Sequence, residues 1–293
     1  MKVAVLGARG QLGAELCRQI GADAIALSRP GLDITDFAVV AKQMRDLRPQ
    51  AVVNAAAYTQ VDRAEQEPSL CFRVNAEAVQ NLARVCAELE CVLVQISSDY
   101  VFGAEQKRRT PYSESDPPGP LSVYGRSKRE GERAAQEWAR HFIVRTCGLY
   151  TRPEGVPRRG RNFVETMLVL AAAGASLRIV QDQFCTPTFT PHVARAIRFL
   201  LTTEAFGLYH VTNGGATNWH EFATAIFRFA GLKPEIHPIS SEQYAAPAPR
   251  PRYSVLSTAK YATLGGAPLP GWEEALEEYF DFPRRAGSYA PGS

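Results

Sequence analysis

Tyr124 and Lys128 stand four residues apart in Tyr124-Gly125-Arg126-Ser127-Lys128, downstream of Ser97-Ser98-Asp99. On a helix, positions i and i+4 share a face. An ammonium beside a phenol favours the phenolate and lowers a pKa that is otherwise about 10. The spacing therefore predicts that Tyr124 is an acid or base usable near neutral pH. Tyr and Lys at this spacing also occur on solvated helices. The pair gains meaning only if the rest of the chain supplies something for it to act on.

A second constellation supplies it. Gly7-Ala8-Arg9-Gly10-Gln11-Leu12-Gly13 follows the apolar run Val3 to Leu6 and opens a helical pattern. This G-x-x-G-x-x-G variant of the dinucleotide fingerprint needs a strand before it and a helix after it, and has both. Glycine permits the tight turn and lets a pyrophosphate approach the backbone, while the helix N-terminus offers free N–H groups. Asp33 lies 20 positions beyond Gly13, near the spacing of an acid on an adenosine ribose. Pro30-Gly31 separates it from the second strand, whose end is Ser28-Arg29. An arginine there suits a 2′-phosphate, and no acid stands at the strand end to repel one. NADPH is the expected cofactor, with NADH the alternative. Asp33, with Ile34 beside it, then serves near the adenine or caps a turn with Thr35.

These residues must be held by ordered elements. Strands are expected at Lys2 to Leu6, Ala24 to Ser28, Ala51 to Ala57, Cys91 to Ser97 and Phe142 to Thr146. Helices are expected at Gly13 to Ile20, Phe37 to Leu47, through most of Ala64 to Glu90, and at Tyr124 to His141. Alternation of this kind predicts an α/β fold, a Rossmann-type doubly wound parallel sheet, and the near-continuous apolar strands fit burial on both faces. After a Pro-, Gly- and Arg-rich loop at Arg152 to Arg161 the pattern changes. Helices at Asn162 to Ala173, Pro191 to Leu201, Trp219 to Ala230 and Trp272 to Phe280 are joined by strands at Leu177 to Val180 and Leu208 to Thr212. Gln243 to Tyr253 reads as an irregular segment. The expected organisation is a dinucleotide-binding domain over 1–150, to which 185–215 returns. A smaller, discontinuous substrate-binding lobe takes 151–184 and 216–285, and 286–293 is a frayed tail.

The 293 residues are 45% hydrophobic and 22% charged, ordinary for a soluble globular chain. A formal net charge of +3 is too small to imply nucleic acid. The short run Val3 to Leu6 is no signal-peptide core, and no stretch approaches the length of a membrane span. The six cysteines form no CxxC pair and no metal-ligand spacing, which suggests a reducing, cytoplasmic setting.

With these residues in view, the chain resembles the extended short-chain dehydrogenase/reductase superfamily. The glycine turn, Asn54-Ala55-Ala56-Ala57, Ser97-Ser98-Asp99-Tyr100-Val101-Phe102 and Tyr124-Gly125-x-x-Lys128 carry that likeness. Within it, Gly10-Gln11-Leu12-Gly13, Asn162-Phe163-x-x-Thr166-Met167, Asp182-Gln183-Phe184-x-x-Pro187-Thr188 and Arg250-Pro251-x-x-Ser254-x-Leu256 resemble the dTDP-4-dehydrorhamnose reductase family. The likeness covers nearly the whole chain. It implies hydride transfer from a nicotinamide to the C4 ketone of a 6-deoxy-4-keto sugar nucleotide. In that reading Tyr124 protonates the developing alkoxide, Lys128 lowers the Tyr124 pKa and holds the nicotinamide ribose, and Ser98 orients the carbonyl. Val61, Asp99 and Tyr100 line the sugar pocket. Ala55, Ala56 and Tyr58 flank the cofactor. Asn162, Phe163 and Arg250 face the nucleotide of the substrate, where a cation suits a diphosphate. Asn162 also reads as a plain helix N-cap, and Arg250 as an exposed loop cation. A homodimer is allowed by analogy with the superfamily.

The chain departs from the family pattern twice. Arg145-Thr146-Cys147-Gly148 puts a glycine where the family usually has a tryptophan, which leaves a roomier pocket or a gap for Tyr150 to fill. Some members bind Mg²⁺ through acidic residues; Glu15 matches one, but Pro191 replaces another, so no metal is expected. Three rivals share the resemblance. A 4,6-dehydratase usually carries Asp-Glu where this chain has Asp99-Tyr100, and an epimerase recycles a tightly held NAD, against the Arg29 argument. The regulatory subunit of methionine adenosyltransferase acts by binding a partner, against the intact Ser98, Tyr124 and Lys128.

Overall fold

A computed structural model describes residues 1–29, 31–152 and 161–281. The first apolar runs form β1 (Val3–Leu6) and β2 (Ala24–Leu27), joined by α1 (Gln11–Ile20). They are followed by α2 (Phe37–Leu47), β3 (Ala51–Asn54), α3 (Ala78–Glu88) and β4 (Val92–Ser98). The catalytic candidates continue into α4 (Val123–Ala135) and β5 (His141–Thr146). Beyond them lie α5 (Phe163–Ala172), β6 (Leu177–Val180), α6 (Thr190–Leu200), β7 (Gly207–His210), α7 (Trp219–Ala230), β8 (Ile236–Ile239) and α8 (Trp272–Asp281).

Six strands pair in parallel in the order β7-β5-β4-β3-β1-β2. The order reverses between β1 and β3, the place where open α/β sheets bind ligands beyond their strand ends. Alternate residues of each strand feed opposite cores. Ala4, Leu6, Val52, Leu93 and Ile143 pack under α2, α3 and α4. Val3, Val5, Val53, Val94, Phe142 and Val144 pack against α1 and α6. Burial on both faces is why these strands read as continuous apolar runs. Helix α6 packs on α1, and β7 extends the sheet beside β5.

A third cluster gathers Tyr150, Val164, Met167, Leu177, Ile179, Phe222, Ile226, Leu276 and Tyr279, from α5, β6, α7, α8 and the segment after β5. Its parts are separated in sequence by α6 and β7. The loop expected at Arg152 to Arg161 lies mostly, and the expected tail wholly, outside the described residues.

Several expected boundaries move. The long helix expected over Ala64 to Glu90 is broken into Val61–Ala64, Pro68–Phe72, a π-helical turn Arg73–Glu77 and α3. The π turn carries buried Asn75, which donates to the Tyr58 carbonyl and to Ser127 Oγ (2.9 Å) and accepts from Tyr58 N. It docks α4 closely, since a Cβ at Gly131 would lie 2.1 Å from the Asn75 carbonyl oxygen. Helix α4 stops at Ala135, six residues before its expected end at His141, because His141 already pairs with Leu93 as the first residue of β5. Strand β3 ends at Asn54, three residues before its expected end at Ala57. The Asn54 side chain turns to Gln95 Oε1 (2.8 Å), and the chain leaves the sheet.

Candidate active site

Helix α4 delivers Tyr124 and Lys128 to the carboxyl ends of the strands. Its start is fixed twice: Ser122 Oγ accepts from Gly125 N, and Glu65 Oε1 accepts from Val123 N at 2.7 Å. A serine cap of this kind contributes about 1 kcal/mol. Strand β4 delivers Ser98, and the 3₁₀ turn Asp99–Val101 follows at once.

Around them lies a cavity of about 210 Å³, walled on its polar side by Ser98, Asp99, Tyr124 and Gln183. Val61 and Tyr100, both expected there, also line it. The Tyr100 and Tyr124 rings meet edge to face, centroids 5.7 Å apart. Among the contributors given no site role from the sequence are Cys147, Gly148, Trp219 and Ser254. They reach it from three segments distant in sequence: Cys147-Gly148, Trp219 and Ser254.

The hydrogen bonds define the chemistry. Asp99 is buried, 2% exposed, and accepts from Ser98 Oγ (3.0 Å) and from Ser254 Oγ (2.6 Å). Burial raises its carboxyl pKa, and the donated bonds only partly offset this. Ser98 Oγ also accepts from Tyr100 N. A hydroxyl has one proton to donate, and here Asp99 holds it.

The expected effect of Lys128 on Tyr124 is not what the structure shows. Burial pushes the Tyr124 phenol up, and the neighbouring Ser98 hydroxyl offsets little of it. Lys128 is 3% exposed, and its ammonium donates to the Ile96 carbonyl at 2.5 Å. Burial brings its own pKa down to about 8, opposed by the charge of Glu132 one turn on. Desolvation therefore outweighs the helical neighbour, and Tyr124 is a neutral phenol, an acid, at neutral pH.

The glycine turn fits a dinucleotide. Gly7 has φ +74°, and a Cβ on it would come within 2.7 Å of Ala56 N. A Cβ on Gly13 would come within 2.2 Å of the Gly7 carbonyl oxygen. Helix α1 starts with no side-chain cap at Gly10 and no acid in its first turn, so its first N–H groups remain for an anion. Gln11 Oε1 is buried there and lacks a partner among the described residues. Leu12 points the other way, into the core. Ala55 and Ala56 follow β3 beside the turn, and the Tyr58 hydroxyl donates to Glu67 at 2.8 Å.

At the end of β2, Arg29 is exposed. Asp33 accepts from Thr35 N (2.9 Å) and Thr35 Oγ1 (2.7 Å), which holds its carboxyl below the usual range; Arg29 and Arg73 add to this. Asp33 is thus the turn cap. The Ile34 side chain packs into the core under α2.

Three expected substrate residues do not line the cavity. Asn162 caps α5 in a capping box with Glu165, and its amide donates to the Thr151 carbonyl, so both ends are used. Phe163 packs behind Trp219 and on Phe222. Arg250 is no free cation: its two terminal nitrogens bond Asp62 at 3.0 and 2.8 Å. Tyr150 is fully buried among Phe189, Phe222 and Tyr279, and leaves the space at Gly148 to Trp219. Glu15, the expected match to a metal ligand, is paired with Arg18 and Gln19.

A parallel sheet with a glycine turn after β1, and a serine, a tyrosine and a lysine gathered at its carboxyl edge, defines a Rossmann-type oxidoreductase. The chain belongs to the family described as RmlD substrate binding domain, matched over residues 1–284. A dTDP-4-dehydrorhamnose reductase of Streptomyces griseus is 42% identical, over 98% of this chain and 96% of that one. A probable dTDP-4,6-dihydroxy-2-methyloxan-3-one 4-ketoreductase of Streptomyces antibioticus is 38% identical, over 96% and 95%. The crystal structure of the Bacillus anthracis dTDP-4-dehydrorhamnose reductase in complex with NADP superposes with a TM-score of 0.90. It is 37% identical, over 96% of this chain and 99% of that one.

Proposed function

We propose that this chain reduces the C4 ketone of dTDP-4-dehydro-L-rhamnose with NADPH, giving dTDP-L-rhamnose. The observation that carries it is the convergence of Ser98 and the neutral Tyr124 phenol on one cavity beside a turn built for a dinucleotide. The relatives named above act on sugars of this kind, and one holds NADP.

The backbone of Gly10, Gln11, Leu12 and Gly13 would hold the pyrophosphate, and Arg29 the 2′-phosphate, with Ala55, Ala56 and Tyr58 along the ribose side. Bound there, the nicotinamide supplies the hydride. Tyr124 gives its proton to the oxygen that becomes the C4 hydroxyl. Ser98 turns its one proton from Asp99 to the same oxygen and orients it. Lys128, charged at neutral pH, leaves the Ile96 carbonyl for the cofactor ribose and comes to stabilise the phenolate that Tyr124 becomes. Ser254 Oγ keeps its bond to Asp99 (2.6 Å), and Tyr100 stands where a dehydratase usually carries a second carboxylate, which favours reduction over elimination.

All six cysteines are free thiols, and among the described residues no helix is long and apolar enough to cross a membrane. The thiols support a cytoplasmic setting.

Absorbance at 340 nm with dTDP-4-dehydro-L-rhamnose tests the reading. One NADPH consumed per sugar reduced is expected. Product formed without net loss of NADPH would remove it in favour of an epimerase.

A further inference from the structure

We propose that Trp219 is a specificity-determining residue that packs against the sugar ring of the bound sugar nucleotide, and that Gly148 is the position that makes room for it. This rests on the reductase reading above and adds the wall that selects the sugar.

Trp219 is the first residue of α7, fixed at a defined point. Asn218 caps the helix in a capping box with Glu221. Thr217 and Asn218 pair antiparallel with Cys185 and Phe184, two further cavity residues. The indole is braced from behind by Phe163, centroids 4.8 Å apart, and more distantly by Phe222. In front stands Gly148, with φ +49°. A Cβ there would lie 3.3 Å from Trp219 Cη2 and 3.2 Å from the Pro187 backbone. The indole side can yield only by moving Trp219, and the backbone side cannot yield cheaply.

The aromatic surface beside Gly148 therefore comes from a residue 71 positions later in the chain. The same cavity is lined by Ser98, Asp99 and Tyr124, which suit the carbonyl. Trp219 and Phe184 offer apolar faces, which suit the C–H face and methyl group of a deoxy sugar. The polar groups thus address the reacting oxygen and the apolar faces the ring that bears it.

The test uses the full chain with NADPH and dTDP-4-dehydro-L-rhamnose, and fluorescence titration with dTDP-L-rhamnose or dTDP. Trp219 is the one tryptophan at the cavity: Trp138 bonds the Cys91 carbonyl, and Trp272 packs into the lobe core. Wild-type fluorescence is expected to fall with dTDP-L-rhamnose and to stay unchanged with dTDP. Trp219→Phe should abolish that signal. Trp219→Ala should raise the KM of the sugar nucleotide about tenfold or more, a loss comparable to one aromatic contact, with kcat and the KM of NADPH within a few-fold. Gly148→Ala should raise the same KM by displacing the indole.

A Trp219→Ala KM within twofold of wild type overturns the proposal. So does quenching by dTDP alone, or a wild type whose fluorescence ignores the sugar nucleotide; this last readout needs no variant to fold. A wild type that turns over no 4-keto sugar nucleotide defeats the reductase reading instead, and the two failures are told apart.

Discussion

Arg145 on β5 and Glu132 on α4 meet in two parallel hydrogen bonds of 2.7 Å, with side chains 1% and 0% exposed. Ser97 Oγ and Arg129 Nη1 add bonds of 2.6 and 2.9 Å to the same carboxylate. Glu132 lies one turn beyond Lys128 and two beyond Tyr124, so this buried pair sets the roll of α4 against the sheet. Burial alone would raise the Glu132 pKa, but Arg145, with Ser97 and Arg129, holds it below the ordinary value.

Glu132→Gln leaves the Arg145 guanidinium buried without its counter-charge. The expected cost is about 3–5 kcal/mol of folding stability, measured by urea denaturation. Glu132 titrates lower in the folded chain than in the unfolded one. Its contribution is present above the unfolded pKa and is lost as pH falls through the folded one. The variant should accordingly show a flatter loss of stability on acidification than the wild type.

Tyr124→Phe removes the acid and keeps the ring against Tyr100. Turnover should fall on the order of a hundredfold or more, the usual cost of deleting a general acid. NADPH affinity, followed by nicotinamide fluorescence, should stay within a few-fold. A variant that keeps most of its turnover would take Tyr124 out of the mechanism.

Lys128 gives the pH dependence. Its pKa in the folded, cofactor-free chain is about 8, against an ordinary 10.5. The charged form is the one that can hold a ribose and stabilise a phenolate. As pH rises through about 8 the ammonium is lost, and kcat/KM for NADPH should fall with it. Stability moves the opposite way: between those two values the unfolded chain binds more protons, so folding gains as pH rises. In Lys128→Arg the guanidinium stays charged, and the basic limb near 8 should disappear at reduced turnover.

Helix α2, strand β6 and helix α7 were legible residue for residue, because each has a clean period and a distinct stop. The glycine turn was legible because its needs are local. Ser98 and Tyr124 stand in motifs that keep their spacing, Val61 follows from the family resemblance, and all three reach the cavity. What failed was non-local. Arg250 looked like a cation for a diphosphate because its partner, Asp62, lies 188 residues away. Asn162 looked like a ligand and a cap alike, and only its bond to the Thr151 carbonyl shows both ends spent. Ser254 stands in a family motif that gives it no role and Trp219 carries no local sign of function, since the contacts that place them, with Asp99 and Gly148, form only in the folded chain. Spacing alone assigns Lys128 the lowering of the Tyr124 pKa, because spacing shows proximity and not desolvation, which is the larger effect at this site.

Gly13→Ala tests the cofactor turn. The added methyl would sit 2.2 Å from the Gly7 carbonyl oxygen and 2.8 Å from its carbonyl carbon, both backbone atoms. Gly7 cannot simply retreat, because Gly10 N donates to that same oxygen at 2.8 Å and the Ala55–Ala56 backbone lies behind it. The turn must open, which moves the first N–H groups of α1 away from the pyrophosphate position. NADPH affinity should fall at least about tenfold, a loss of about 1.4 kcal/mol. The sugar cavity draws no lining residue from this turn, so dTDP-L-rhamnose binding without cofactor should be retained. Calorimetric titration of the variant with each ligand separates the two. Equal loss of both would mean that the methyl had disrupted the sheet and not the cofactor turn alone.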